Sequence, residues 1–156
     1  MGIAGRLLFS RSSLGAGVES ITLGAEPGSV RTARRFVLAQ FAERDLEPSV
    51  AVLLTSELVS NVVRHADTQL TVAVRFEPCV RVEVHDGMAA TEAFREILAS
   101  AHTRMPPASP GGRGLPLIRG LASRFGLADE PGRWKGKVIW FELEPADLAI
   151  RQVADS

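Results

Sequence analysis

Three short stretches carry residue types that could do chemistry. In Leu54-Thr55-Ser56-Glu57-Leu58-Val59-Ser60-Asn61-Val62-Val63-Arg64-His65, Glu57 and Asn61 stand one helical turn apart, so a carboxylate and an amide project side by side. Such a pair can offer a general base and an oxygen ligand for Mg²⁺ to one small volume. The same spacing also suits an ordinary solvated face of an amphipathic helix. Asn61 is the only asparagine in the chain, and mid-helix is a costly place for that side chain. The second stretch, Val82-Glu83-Val84-His85-Asp86-Gly87, sets Asp86 at a strand end. There its carboxylate can accept a hydrogen bond from a ligand's amino group, although Asp-Gly is equally a favoured turn dipeptide. The third, Gly111-Gly112-Arg113-Gly114-Leu115, opens a helix. Glycines and a helix N-terminus suit a phosphate; they also suit a hinge.

These residues need elements to hold them. Glu57 and Asn61 lie on a helix predicted from about Val50 to His65, where Leu58, Val59, Val62 and Val63 share one arc. Glu57, Ser60, Asn61, Arg64 and His65 fall on the other. Before it, Val30, Ala33, Val37 and Phe41 mark a helix over Val30–Arg44, with Ser29 available to cap its start. A short strand at Ser20–Leu23 precedes that helix. Leu70–Phe76 and Val80–His85 alternate apolar and polar residues, which predicts an antiparallel pair with one buried face. A long connection, Met88–Gly112, leads to a third helix, Leu115–Phe125, and a last strand, Val138–Leu143. Connections of this length are often lids or binding loops. The element order predicts an α/β two-layer sandwich: a mainly antiparallel mixed sheet with helices on one face. Residues 1–19 have no sustained period and read as a disordered extension. Residues 20–145 read as the domain and 146–156 as a C-terminal tail.

The composition limits what this domain can be. Its 156 residues, 46% of them hydrophobic, suit one soluble domain with a sizeable core. Eighteen basic residues balance eighteen acidic ones, which argues against bulk electrostatic capture of nucleic acid. Cys79 is the only cysteine, so no internal disulfide forms and a reducing cytoplasm is the expected setting. No apolar run approaches the roughly 20 residues needed to span a bilayer.

Several apparent motifs fail on inspection. Gly132-Arg133-Trp134-Lys135-Gly136-Lys137-Val138 is one residue short of a P-loop and precedes a strand. Leu117 stands where a dinucleotide fingerprint needs its last glycine. His65, His85 and His102 lack metal-ligand spacing, and Cys79 has no neighbouring base. Arg31, Arg34 and Arg35 form a basic patch, either a solvated face or a protein-binding surface.

The order of the stretches is more specific than any one of them. Ser56 to Ala66, then Asp86-Gly87, then Gly112-Arg113-Gly114-Leu115, then Gly136-Lys137-Val138-Ile139-Trp140-Phe141 together resemble the ATP-binding domain shared by histidine kinases, gyrase and MutL. Within that group the chain most resembles the stand-alone anti-sigma-factor serine kinases of Gram-positive bacteria and their actinobacterial relatives. The likeness covers about residues 20–145. It implies ATP and Mg²⁺ as cofactors, Glu57 as the base on the attacking hydroxyl, Asn61 as the Mg²⁺ ligand and Asp86 as the adenine-recognising group. It further implies that Gly112, Arg113, Gly114 and Leu115 bind the nucleotide at its phosphates, beneath a Met88–Gly111 lid. Partners implied are a sigma factor or similar regulator and a small anti-anti-sigma-type substrate, with a homodimer compatible. The alternative is a non-catalytic protein-binding module of the same fold. Met88 and Val138 depart from the family pattern near the adenine end, which implies modest nucleotide affinity.

Overall fold

The computed structural model describes residues 10–13, 17–90, 95, 120–128, 136–144 and 148. Strands β1 (Ser10–Ser13) and β2 (Val18–Leu23) lead to helices α1 (Pro27–Ala42) and α2 (Ser49–Asn61). A π-helical turn, Val62–Ala66, follows, then β3 (Leu70–Arg75), β4 (Val80–Asp86), β5 (Arg124–Ala128) and β6 (Lys137–Leu143). The strands form one sheet in the order β1-β2-β3-β4-β6-β5, and every pairing is antiparallel.

Alternation along the strands decides which face receives the helices. Ile21, Leu23, Leu70, Val72, Val74, Val80, Val82, Val84, Ile139, Phe141 and Leu143 are buried in one cluster. That cluster also holds Ala33, Phe36, Val37 and Phe41 of α1 with Ala51, Leu54, Leu58 and Val59 of α2. Burying these side chains is the main favourable term in forming the layer. The polar set between them, including Arg81, Glu83 and His85, is left on the outer face. The expected two-layer α/β sandwich is therefore the fold.

Local differences from the sequence reading have physical causes. Helix α1 starts at Pro27, whose fixed φ suits a first helical turn. Ser29 does not cap it; its hydroxyl donates to the Gly24 carbonyl at 2.6 Å. The segment expected to be disordered contains β1, which pairs with β2 from Ser10↔Thr22 to Ser13↔Glu19. Leu148, expected in a tail, is buried in the core, and its carbonyl accepts the Glu47 N–H at 2.8 Å. The third helix was expected to reach Phe125, but only Gly120 and Leu121 of its described residues are helical. Arg124 and Phe125 belong to β5, where Gly126 lies opposite Trp140. A Cβ at Gly126 would stand 2.7 Å from the indole, so only glycine lets the ring lie across that strand.

Candidate functional site

The inner face of β4 runs Val80, Val82, Val84 and then Asp86, so the last inward position carries a carboxylate. Asp86 faces Lys137 directly across the β4–β6 pairing. Ile139, Phe141 and Leu143 point into the core, and the same alternation turns Lys137 inward. Lys137 Nζ lies 2.8 Å from Asp86 Oδ2 and 3.0 Å from Oδ1. The Met88 N–H donates to Oδ1 at 2.8 Å, and Lys137 Nζ also reaches the Met88 carbonyl at 3.4 Å. The Asp86 side chain is only 2% exposed. Asp86 therefore organises the turn after β4, while a buried cation neutralises it.

Two contacts hold this end of the sheet together. The Gly87 N–H donates to Thr68 Oγ1 at 2.9 Å, joining the turn after β4 to the segment before β3. Gly136 packs onto the β4 backbone so closely that an added Cβ would fall 1.6 Å from the Asp86 carbonyl oxygen.

Helix α2, which packs on β4, carries the other polar pair. Eight residues separate Asn61 from Leu70, and Leu70 is the strand partner of Asp86. The connection from α2 thus enters β3 at the end of the sheet where β4 finishes. Glu57 and Asn61 are half-buried, and neither side chain has a hydrogen-bond or ion-pair partner among the described residues. No such bond joins them to Asp86 either. Helical phase is lost immediately after Asn61: the turn widens, and the Asp67 N–H reaches back to the Val62 carbonyl at 3.3 Å. Asp67 then leaves in the left-handed region, with φ 47. Arg64 and His65 are exposed on this widened turn, so the regular α-helical spacing that joined them to the Glu57–Asn61 arc does not run through them.

Gly112, Arg113, Gly114 and Leu115 lie outside the described residues, as does the expected lid beyond Ala90 apart from Arg95. Arg31, Arg34 and Arg35 are solvent-exposed on α1.

The outer face carries a separate charged cluster. Arg81 donates to Glu83 at 2.9 Å and to Glu142 at 3.1 Å, and its guanidinium stacks 4.1 Å above the Trp140 ring. Arg124 reaches Glu142 at 3.3 Å, and His85 donates to Glu83 at 2.9 Å. The His85 hydrogen bond outweighs burial and, with Arg81, holds the Glu83 carboxyl below the usual range. Burial pushes Glu142 upward, but the Cys79 thiol and the two guanidiniums override it and lower its pKa. Burial and the Glu142 contact raise the Cys79 thiol, which makes it a poor nucleophile.

The residue that sequence reasoning missed is Lys137. Its inward position was implied by alternation with Ile139, but its pairing with Asp86 depends on β6 lying next to β4. That adjacency crosses some fifty residues of chain. Among the described residues, no three of His, Cys, Asp or Glu gather as a metal cluster, and no helix is long and apolar enough to cross a membrane.

An Mg-nucleotide meets two different fits. The α2 pair suits it: an amide oxygen and a carboxylate, both without protein partners, are hard donors of the kind Mg²⁺ accepts. Asp86, the group expected to meet the base, suits it less well, because Lys137 already occupies it. No curated protein matches the chain. The model of the histidine kinase-like ATPase domain matches residues 23–142, from the last residue of β2 almost to the end of β6. A match over most of the chain, on this sheet and helix order, makes the protein a member of the histidine kinase-like ATPase domain family.

Proposed function

We propose that the protein binds Mg-ATP and acts as a serine/threonine kinase of the anti-sigma-factor type. In this reading it phosphorylates a small antagonist protein and sequesters a sigma factor or similar regulator. Family membership supports ATP binding. The observation that carries the finer reading is the half-buried Glu57–Asn61 pair, one helical turn apart on α2 and with no side-chain hydrogen-bond or ion-pair partner among the described residues. Being only half-buried, the two side chains remain within reach of a ligand. Bound Mg-ATP supplies the transferable phosphoryl group and the cation that offsets its charge. Asn61 would hold the metal through its amide oxygen. Glu57 takes the proton of an acceptor Ser or Thr hydroxyl and orients that oxygen for attack.

The test is phosphate transfer from labelled ATP to candidate small partners, wild type against Glu57→Gln. A lost general base slows transfer by about 10²–10⁴-fold while leaving nucleotide binding nearly intact. Equal rates would reduce Glu57 to part of a polar helix face. The second reading, a protein-binding module without transfer, is favoured by the closed state of Asp86. It takes over if wild type captures a partner and transfers nothing.

A further inference from the structure

The carboxylate that would recognise the base is already engaged. An ionised carboxylate offers about four acceptor sites. Lys137 Nζ takes one on each oxygen of Asp86, at 2.8 and 3.0 Å, and the Met88 N–H takes another on Oδ1 at 2.8 Å. A ligand amine must share the last site or displace Lys137. Displacement is opposed by the burial of both side chains, 2% and 11% exposed, and by the Met88 carbonyl that also faces the ammonium.

We propose that Lys137 is an internal competitor for Asp86. It donates where the exocyclic amine of a nucleotide base would donate, and so sets the affinity and base selectivity of the site. This rests on the ATP-binding reading above. Donors and acceptors at Asp86 decide the preference. Asp86 alone would favour adenine, whose amine donates, and repel guanine, whose carbonyl oxygen would face the carboxylate. With an ammonium beside it, the negative charge of the carboxylate is offset at that spot. The carbonyl is then no longer rejected, and the amine gains little. Lys137 therefore acts as a specificity-determining residue at one remove from the reacting phosphates.

The experiment is equilibrium binding of ATP and of GTP, each with Mg²⁺, to the full chain. Wild type is compared with Lys137→Thr and Lys137→Gln, folding being checked by circular dichroism. Wild type is expected to bind both nucleotides within about threefold of each other. Lys137→Thr should tighten ATP by about tenfold to a hundredfold, the worth of one charge-assisted hydrogen bond regained, while GTP stays weak. Lys137→Gln, which keeps a neutral donor near Asp86, should gain less. Asp86→Asn added to either variant should erase the gain.

A wild type that already prefers ATP in an Asp86-dependent way, with no tightening in the Lys137 variants, overturns the inference and leaves the ATP reading standing. Folded proteins that bind neither nucleotide in any form overturn both. If Lys137→Thr fails to fold, Lys137→Gln decides, and the wild-type selectivity ratio needs no variant at all.

Discussion

The end of β4 and the polar side of α2 treat polar groups in opposite ways. At Asp86 each carboxylate oxygen has a protein donor, and the ion pair lies almost wholly out of water. On α2, Glu57 and Asn61 are half-buried and their side chains have no hydrogen-bond or ion-pair partner among the described residues. The first arrangement is self-contained and costly to disturb; the second leaves donors and acceptors for something else. Two polar clusters of similar size can thus carry different burdens, one for the fold and one, in the function proposed above, for a ligand.

The largest expected effect comes from breaking the self-contained pair. Asp86→Ala leaves Lys137 buried without its counter-charge and should cost about 3–5 kcal/mol of stability by denaturant unfolding. Replacing both partners, Asp86→Leu with Lys137→Met, should fall within about 1 kcal/mol of wild type, because a buried ion pair adds little net stability. If the single and double replacements cost the same, the pair is not acting as a unit.

The α2 side should respond in the reverse sense. Asn61→Ala should weaken Mg-ATP binding by about 1–3 kcal/mol, read by titration calorimetry. It should also raise unfolding stability by up to about 0.5 kcal/mol, since alanine is the better helix former. A loss of stability here would mean that Asn61 serves the fold after all.

The outer-face cluster supplies the smallest effect and a control for both. Glu83 and Glu142 hold pKa values below the usual carboxylate range. Between the lowered folded value and the ordinary one near 4.5, the unfolded chain binds more protons. Stability is therefore complete above about pH 5 and falls as the pH drops through the folded values. Thermal melts from pH 6 to 3 should show this decline, and Glu83→Gln should flatten it. An unchanged acid limb in that variant would mean the Arg81 and His85 contacts contribute no pH-dependent stability.

How much of this was legible beforehand follows the range of the interactions. The apolar stripe of α1 and the alternation of β3 and β4 are local patterns, and they appear where spacing put them. The Glu57–Asn61 juxtaposition was equally local and holds up to the last residue of α2. Beyond it, the π-helical turn broke the 100° phase that had joined Arg64 and His65 to the same arc. The spacing carries the third helix into Arg124 and Phe125, the first two residues of β5, because their strand character comes only from pairing with β6. Leu148 joins the core through Glu47, about a hundred residues away. Lys137 belongs to the same class: its type and its inward phase were visible, but its partner was set by sheet order.

Gly136 has a consequence for anyone surveying tolerated substitutions along this chain. Every side chain larger than hydrogen at that position collides with the main chain of β4 at Asp86 and Gly87, so position 136 should prove almost wholly intolerant. Beside Lys135 and Lys137, such intolerance would look like the signature of a phosphate-binding glycine. Its physical origin is the thickness of two crossing backbones. A replacement there should abolish soluble protein altogether instead of yielding a well-folded, ligand-deaf variant.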